Sequence, residues 1–227
     1  MIKIKNTEVY GWQAAIRGMR NSWNSWDKSD SFVTTKEEVS CDDVDGCCTT
    51  VYHCSGIGEN DLDLMKRLVK AGTDCRKFMR MINVTMDIVA PLYWWAEYDT
   101  YKVGTVRNSC SKMHKITAKK FTVDDFSHEH LFNGRVRGTA FLRDFEYTIM
   151  ALNSARNLYL QTKNKKYWWQ IIQLLPSSYN QRATVLLNYE VLLNMYHARK
   201  NHKLDEWKTF CSWIETLPYM SEFLGGE

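Results

Sequence analysis

One segment, RATVLLNYEVLLNMYHAR from Arg182 to Arg199, changes its hydrophobic period within a few residues and so restricts the folds open to the chain. Its residues 184–187, Thr-Val-Leu-Leu, are a short run that favours a strand. From Glu190 onward the apolar residues recur at a helical spacing on one face: Val191, Leu192, Met195 and Tyr196. The segment therefore predicts a strand, a turn and a helix in direct succession.

Four polar side chains lie at the ends and along one side of this strand-turn-helix unit: Arg182, Asn188, Asn194 and Arg199. Arginine offers a planar fork of donors to a phosphate, and a carboxamide can pair with donors and acceptors of a heteroaromatic ring. Two of each in one small unit indicate a site for an anionic, heteroaromatic ligand. The alternative is that the arginines are ordinary surface residues and the asparagines cap the helix.

The segment LPSSYNQRATVLLNYEVLLNMYHARKNH, which begins at Leu175, resembles the C-terminal signature of the flavin-dependent thymidylate synthases, the ThyX family. In that family a Leu-Pro precedes an Arg, and two Asn and a further Arg follow at matching spacings. The resemblance implies that Arg182 and Arg199 contact dUMP. It also implies that Asn188 and Asn194 contact FAD.

The chain resembles the same family in a second region, between residues 90 and 112. The family has Ala-Pro, a helix, Arg-His-Arg, seven residues and then Ser-x-Arg. The same spacing is kept here by three groups of residues: Ala90-Pro91, Thr100-Tyr101-Lys102 and Cys110-Ser111-Lys112. The resemblance implies that Thr100, Tyr101 and Lys102 bind the flavin, and that Cys110, Ser111 and Lys112 bind the substrate.

The residue identities in this second region depart from the family pattern. Lys102 and Lys112 keep a positive charge where the family has Arg, but they lose the bidentate fork. Thr100 and Tyr101 replace the Arg and His that meet flavin and folate in the family. CRKFMRM, at 75–81, stands where the family has a His and a Ser/Thr-Pro-x-Glu-His element. The resemblance thus supports the fold and a nucleotide pocket more directly than the folate-dependent reaction.

The implied function is the reductive methylation of dUMP to dTMP, with FAD as cofactor and NADPH and methylenetetrahydrofolate as co-substrates. Positioning and electrostatics would carry most of this catalysis. The expected catalytic residues are Arg199, Tyr101 and Cys110.

Two alternatives stay open. In the first, the substrate is another pyrimidine nucleotide, and the Cys110 thiol beside Lys112 attacks a ring carbon; the plainer interpretation of Cys110 is a packing substitute for serine. In the second, the chain is a non-catalytic nucleotide-binding or structural protein with the same fold.

The remaining patterns predict an α+β fold, a ThyX-like domain with a central mixed or antiparallel sheet and long helices packed around it. Strands are expected at 1–10 and 82–91, and a loop at 103–114 that can hold a phosphate. Helices are expected at 12–19, 62–72, 92–102, 138–163, 166–176 and 204–214. Pro91 is expected in the first turn of its helix, and Phe121, Phe126 and Phe132 are expected to anchor the connector at 117–135.

Length and charge narrow the function classes. With 227 residues, 44% of them hydrophobic, the chain suits a single domain, 1–227, with an inserted loop at 27–58. A net charge of +4 is too small to indicate a general nucleic-acid binder. No apolar run approaches the roughly 18 residues that span a bilayer, and the first residues lack a signal-peptide pattern. We therefore expect a cytoplasmic protein with no membrane partner.

The seven cysteines do not form a metal-binding pattern. Four of them fall in the segment CDDVDGCCTTVYHC, namely Cys41, Cys47, Cys48 and Cys54, with His53 alongside. The segment has no paired Cys-x-x-Cys, and adjacent cysteines cannot point the same way on a strand. We expect reduced thiols and no metal.

The resemblance also implies a homotetramer whose active sites are built from several subunits. The aromatic residues expected to be buried between the subunits are Trp94, Trp95, Trp168 and Trp169.

Overall fold

The computed structural model describes residues 1–33, 51–52, 55–137 and 139–225. Much of the insertion predicted at 27–58 lies outside these residues. Its cysteines and His53 are outside them too: Cys41, Cys47, Cys48 and Cys54.

Strands and helices are mixed along the chain. The strands are β1 (Lys3–Tyr10), β2 (Phe32–Val33), β3 (Val51–Tyr52), β4 (Ser55–Gly56), β5 (Asn83–Pro91), β6 (Val106–Ser109) and β7 (Asn180–Asn188). The α-helices are α1 (Trp12–Asn21), α2 (Glu59–Lys70), α3 (Leu92–Tyr98), α4 (Lys112–Lys115), α5 (Phe141–Thr162), α6 (Lys165–Leu174), α7 (Tyr189–Arg199), α8 (Asp205–Glu215) and α9 (Met220–Leu224). Short 3₁₀ helices cover Trp26–Lys28, Lys77–Met81 and Val123–Asp125.

A five-stranded sheet has the order β3-β1-β5-β7-β6. β3 runs parallel to β1, with Glu8 opposite Val51, and the other four strands form the antiparallel part of the sheet. β2 and β4 pair separately as a two-stranded antiparallel sheet. The predicted α+β class with a mixed central sheet is therefore confirmed.

The two inner strands, β5 and β7, both alternate between buried side chains and more exposed ones. In β5 the side chains of Val84, Met86 and Ile88 are buried, while the polar side chains between them are half-buried. In β7 every second side chain from Gln181 to Leu187 is buried. Such alternation is the pattern of a strand with one apolar and one polar face.

The expected position of Pro91 in a helical turn and the expected end of the helix at residue 102 are both wrong. Pro91 is the last residue of β5 rather than part of a helical turn, and the helix begins at Leu92, whose amide donates to the Tyr179 carbonyl at 3.0 Å. α3 ends at Tyr98, so Thr100 and the two residues after it follow the helix instead of closing it. The aromatic run continues past the end of α3, and this continuation extended the predicted helix.

The predicted loop at 103–114 contains β6 and α4. β6 reads Val-Arg-Asn-Ser and is half-buried only at Arg107. An exposed edge strand of four residues carries no hydrophobic alternation, so its sequence gave no strand signal.

The helices at 138–163 and 166–176 are present as α5 and α6, with Gly138 outside the described residues. α5 ends at Thr162, and its C-cap residue Lys163 takes the left-handed conformation with φ 54°. α6 is only partly buried. Of its side chains Ile171 is buried, whereas Trp169 and Leu174 are exposed.

The chain forms two compact units. The first comprises Met1, Val89–Tyr98 and Ser109–Arg182. A core cluster in this unit joins α5, α6 and the segment before α5; its buried residues are Ile116, Phe121, Phe126, Ile149, Leu152, Ala155 and Ile171. Phe132, predicted to anchor the connector with Phe121 and Phe126, is instead 56% exposed.

The second unit comprises Ile2–Ile88, Asp99–Asn108 and Ala183–Glu227. Trp12 of α1 packs edge-on against Tyr189 at the start of α7, with ring centroids 5.2 Å apart. The Tyr189 hydroxyl donates to the Pro218 carbonyl at 2.9 Å. Edge-on aromatic pairs and a satisfied buried hydroxyl fix the beginning of α7 in this unit.

Among the described residues, no helix combines the length and the apolar character needed to cross a bilayer.

Candidate functional site

Asn188 lies where β7 passes directly into α7, without the predicted turn. Its Oδ1 accepts a hydrogen bond from the Val191 backbone N–H at 3.0 Å, which makes Asn188 the N-cap of the helix. Such a cap satisfies an amide that the first helical turn leaves unpaired, and it contributes about 1 kcal/mol. Capping engages the oxygen only, so the NH₂ group of Asn188 can still serve a ligand.

Asn194 lies in the middle of α7 and is exposed. Its Oδ1 accepts a hydrogen bond from Nη2 of Arg76 at 2.9 Å. The same guanidinium reaches the buried Glu190, with Nε 3.4 Å from Oε1, and Arg80 also donates to that carboxylate. A buried carboxylate is tolerated when cations pair with it, and this pairing places Arg76 beside Asn194.

Arg199, the last residue of α7, is held by aromatic groups of the second unit. Its Nε donates to the Tyr101 hydroxyl at 2.8 Å. Its guanidinium carbon lies 4.8 Å from the centroid of the Trp207 ring and 5.5 Å from that of the Tyr101 ring. Cation–π contacts of this kind contribute about 0.5–1 kcal/mol each at exposed sites and more when desolvated. Arg199 is thus held in a defined orientation.

The charge of Arg199 also reaches Cys211 in α8. Burial raises the pKa of the Cys211 thiol to about 11, the charge of Glu215 acts in the same direction, and the charge of Arg199 opposes them. Cys211 is therefore a protonated, buried thiol at neutral pH.

The loop after α3 approaches the cap of α7 closely. Gly104 has φ +73°, and a Cβ there would lie 2.8 Å from Nδ2 of Asn188 and 3.2 Å from a methyl group of Val191. The Thr105 hydroxyl donates to the Tyr101 carbonyl at 2.5 Å, which closes the loop. A glycine is required at 104 both for the backbone angle and for the close approach. Thr100 and Lys102 lie exposed in this loop.

In the first unit, the backbone of Cys110 is fixed by β7. The Cys110 N–H donates to the Arg182 carbonyl at 2.9 Å, and the side-chain amide of Gln181 donates to the Cys110 carbonyl at 2.7 Å. Gln181 is buried, and its own carbonyl accepts from the Trp95 indole at 3.0 Å. The Cys110 thiol and the Arg182 side chain are both exposed.

Ser111 and Lys112 follow at the start of α4. The Ser111 hydroxyl accepts from the His114 N–H at 3.3 Å and so caps this four-residue helix. Lys112 is half-buried. The spacing of Cys110, Ser111 and Lys112 therefore arises from the end of one edge strand and the first turn of a short helix.

Comparison with known proteins identifies the fold. Neither a family model nor a curated protein sequence matches the chain. Among solved structures, the chain is similar to the flavin-dependent thymidylate synthase ThyX of Helicobacter pylori in complex with FAD and dUMP. The TM-score is 0.65 at 16% identity, over 98% of this chain and 97% of that one. A second structure of that enzyme with FAD and dUMP gives 0.65 at 15% identity, over 99% and 97%. The fold is that of ThyX.

The structure separates the predicted site residues into groups. In the second unit Tyr101 contacts Arg199 directly, whereas Asn188 and Asn194 are engaged by a helix amide and by Arg76. In the first unit the Cys110 backbone pairs with that of Arg182. Within the described residues, no cluster of three or more His, Cys, Asp or Glu side chains could hold a metal ion.

Three residues that orient these groups were not predicted: Arg76, Gln181 and Trp207. Arg76 belongs to CRKFMRM, which was considered only as a replacement for a family element. Trp207 has the spacing of a core residue of α8, and Gln181 sits in a strand. The partners of Arg76 and Gln181 are 118 and 71 positions away, so no local pattern could have identified these two residues. Trp207 is close to Arg199 in sequence but belongs to the next helix, and the helical periodicity of α8 does not reveal this contact.

Proposed function

We propose that this protein is a flavin-dependent thymidylate synthase-like enzyme that converts dUMP to dTMP by reductive methylation. The observation that carries the proposal is the similarity of the fold, over nearly the whole length of both chains, to ThyX complexed with FAD and dUMP. The retained arginines and asparagines of the 182–199 segment support it, because they are the side chains that such ligands require.

The donor set of the second unit fits a flavin. Asn188 and Asn194 both have their oxygens engaged by the protein, so each can offer an NH₂ group to a ligand acceptor. Lys102 adds an exposed cation for a phosphate, and Tyr101 adds an aromatic ring. Thr100 completes the loop that would hold the cofactor. When bound, the flavin would supply hydride taken from NADPH.

The uridylate would be held by cations. Arg182 is exposed on β7, and Ser111 and Lys112 lie at the start of α4. These groups suit the phosphate of dUMP, with Cys110 beside them. Arg199 is the second arginine assigned to the nucleotide. The resemblance implies sites that draw on several subunits, so the residues of the two units need not serve the same copy of the ligand.

The contribution of the protein to catalysis would be positioning and electrostatics. Arg199 is restrained by Tyr101 and Trp207, so its charge is already oriented before the substrate binds. Tyr101 would affect the reaction through its hydrogen bond to Arg199. Methylenetetrahydrofolate would supply the one-carbon unit.

We also propose a homotetramer, and the structure changes which residues would be buried in it. Trp94 and Trp95 are buried within the chain, so they cannot form the interface expected from the sequence. Exposed apolar side chains on α5 and α6 are better candidates: Phe141, Tyr147, Met150, Leu158, Leu160, Trp169 and Leu174. Large exposed apolar side chains are the groups that association would bury.

The test is an anaerobic assay with FAD, NADPH, methylenetetrahydrofolate and dUMP, in which NADPH consumption and dTMP formation are both measured. We expect the purified protein to bind flavin and to form dTMP slowly, because lysines replace two family arginines and Tyr101 replaces a histidine. A protein that binds no flavin, even at a large excess of FAD, would contradict the proposal.

A specific observation favours one alternative substrate class. Cys110 has an exposed thiol next to a short helix that begins with Lys112. A thiol in this place could attack a ring carbon of another pyrimidine nucleotide. In the same assay, flavin binding without dTMP, together with turnover of a different pyrimidine nucleotide that a Cys110→Ser variant loses, would support this alternative. A non-catalytic nucleotide-binding protein would bind flavin and dUMP and turn over neither.

A further inference from the structure

We propose that Arg76 is a positioning residue for Asn194, and that Asn188 and Asn194 act on the bound ligand only as hydrogen-bond donors. This inference rests on the proposed function and specifies the ligand chemistry at that site. The ligand atoms facing the two carboxamides would then be acceptors, such as carbonyl oxygens, unprotonated ring nitrogens or phosphate oxygens.

The first step of the argument concerns the direction of each carboxamide. Arginine carries N–H donors and no acceptor, so only the oxygen of Asn194 can face Nη2 of Arg76 at 2.9 Å. Turning the amide by 180° would set donor against donor. The Val191 backbone N–H imposes the same direction on Asn188 at 3.0 Å. Both side chains are therefore oriented with the NH₂ group as the half available to a ligand.

The second step concerns the rigidity of Arg76. Its side chain is 16% exposed, and its Nε lies 3.4 Å from Oε1 of Glu190, a carboxylate that is 8% exposed. Nη2 also lies 3.4 Å from the Thr73 hydroxyl. An arginine that meets a buried carboxylate with one edge has little freedom to release Asn194. The hydrogen bond is charge-assisted, and it polarises the amide so that its NH₂ group becomes a stronger donor.

The third step concerns Asn188, whose side chain is approached by the Val191 amide at its oxygen and by Gly104 at its nitrogen. The close approach of Gly104 leaves no room for a side chain next to Nδ2 of Asn188. A ligand atom that meets this NH₂ group would therefore pass along the backbone of the loop that contains Tyr101 and Lys102. The contacts of Asn188 and of that loop with the ligand would be made in the same place.

The chain offers a matched control for Arg76. Arg80 pairs with the same carboxylate, Glu190, and no hydrogen bond joins it to Asn194 among the described residues. Arg76→Met and Arg80→Met each remove one cation from Glu190, but only Arg76→Met releases Asn194. A loss of stability caused by Glu190 alone would appear in both variants.

The experiment measures FAD affinity and the visible flavin spectrum of five proteins: wild type, Asn194→Asp, Asn194→Ala, Arg76→Met and Arg80→Met. Asn194→Asp keeps an oxygen toward Arg76 and removes the donor. We expect it to weaken FAD binding about ten-fold, or about 1.4 kcal/mol, and to shift the flavin band without a loss of melting temperature, because an acceptor of the ligand is left without its donor. Arg76→Met should weaken FAD binding several-fold, and Arg80→Met less than two-fold, again by the size of one hydrogen bond.

A double variant tests whether Arg76 acts through Asn194. In the Asn194→Ala background, Arg76→Met should cause no further loss of FAD affinity, because coupled residues are not additive. FAD binding by Asn194→Asp equal to that of the wild type, or equal losses in Arg76→Met and Arg80→Met, would overturn the inference while the wild type still binds flavin. No flavin binding by the wild type would overturn the proposed function, and the ligand assignment with it.

Discussion

At the scale of single residues, Arg199 is the candidate site residue whose orientation the protein restrains from two sides. Its guanidinium is fixed by a hydrogen bond to Tyr101 and by the face of Trp207. Both contacts restrain the orientation of the guanidinium. An oriented guanidinium is what a nucleotide site needs.

We predict that Arg199→Ala weakens dUMP binding by about 1.5–3 kcal/mol, the size of a charge-assisted contact, measured by calorimetry. Trp207→Phe serves as the control: it keeps an aromatic ring and the charge, so dUMP affinity should change much less. Unchanged dUMP affinity in Arg199→Ala would remove this residue from the nucleotide site.

The candidate site residues could be chosen from the sequence, but the residues that contact them could not. The spacing of Arg182, Asn188, Asn194 and Arg199 made these four residues candidates. Arg76 lies 118 positions before Asn194, and Tyr101 lies 98 positions before Arg199. No periodicity in a single sequence encodes contacts at such separations, so the orienting residues required the fold.

At the scale of elements, the start of α2 also depends on contacts between residues that are distant in sequence. The sequence predicted a helix at 62–72, and in the structure this helix begins three residues earlier, at Glu59. In the structure Asp30 accepts from the amides of Asn60 and Asp61, at 2.9 and 3.1 Å. Asp61 itself is fully buried and meets Arg20 of α1, with Nη2 of Arg20 2.7 Å from its Oδ1. The helix was predicted, but not the ion pair that joins it to α1.

The pKa of Asp61 reflects this environment. Burial alone would raise it, but hydrogen bonds from Ser31, Ser29 and Arg20, together with the Arg20 charge, lower it below the ordinary value of 3.8. A carboxyl group whose pKa is lower in the folded state than in the unfolded state stabilises the fold. This stabilisation is fully present at a pH above the pKa of the unfolded state, and it is lost as the pH falls through the pKa of the folded state.

We predict that Asp61→Asn lowers the free energy of unfolding at pH 7 by about 3–5 kcal/mol, because Arg20 would be left buried without its anion. The difference from the wild type should shrink as the pH falls below 3.8, because the carboxyl group is protonated first in the unfolded state and then, below its lowered pKa, in the folded state. Urea unfolding at several pH values measures both effects. Asp63→Asn, at an exposed position of the same helix, should change little. A difference for Asp61→Asn that stays constant from pH 7 to pH 3 would contradict this account.

At the scale of the whole molecule, the distribution of exposed apolar side chains bears on assembly. The sequence placed the interface at paired tryptophans, and two of these, Trp94 and Trp95, are instead core residues of the first unit. Aromatic composition alone cannot tell a core tryptophan from an interface one, because both are apolar. The exposed positions on α5, with Met150 62% and Tyr147 54% exposed, could be found only after the helix had been placed.

We predict that the protein is a homotetramer in solution and that the double variant Tyr147→Lys, Met150→Lys dissociates it. Two lysines three positions apart on one helix face would set four or more charges against an apolar interface, and burying unpaired charges is costly. Light scattering of the wild type should give about four times the chain mass of 26.7 kDa, and the variant should give a smaller particle with an unchanged circular dichroism spectrum. Trp23→Lys is the matched control, because Trp23 is 75% exposed in the second unit, outside α5 and α6, and its replacement should leave the assembly intact. If the wild type itself were a monomer at micromolar concentration, the assembly and the sites shared between subunits would both have to be abandoned. If the double variant stayed tetrameric, the interface would lie on another surface.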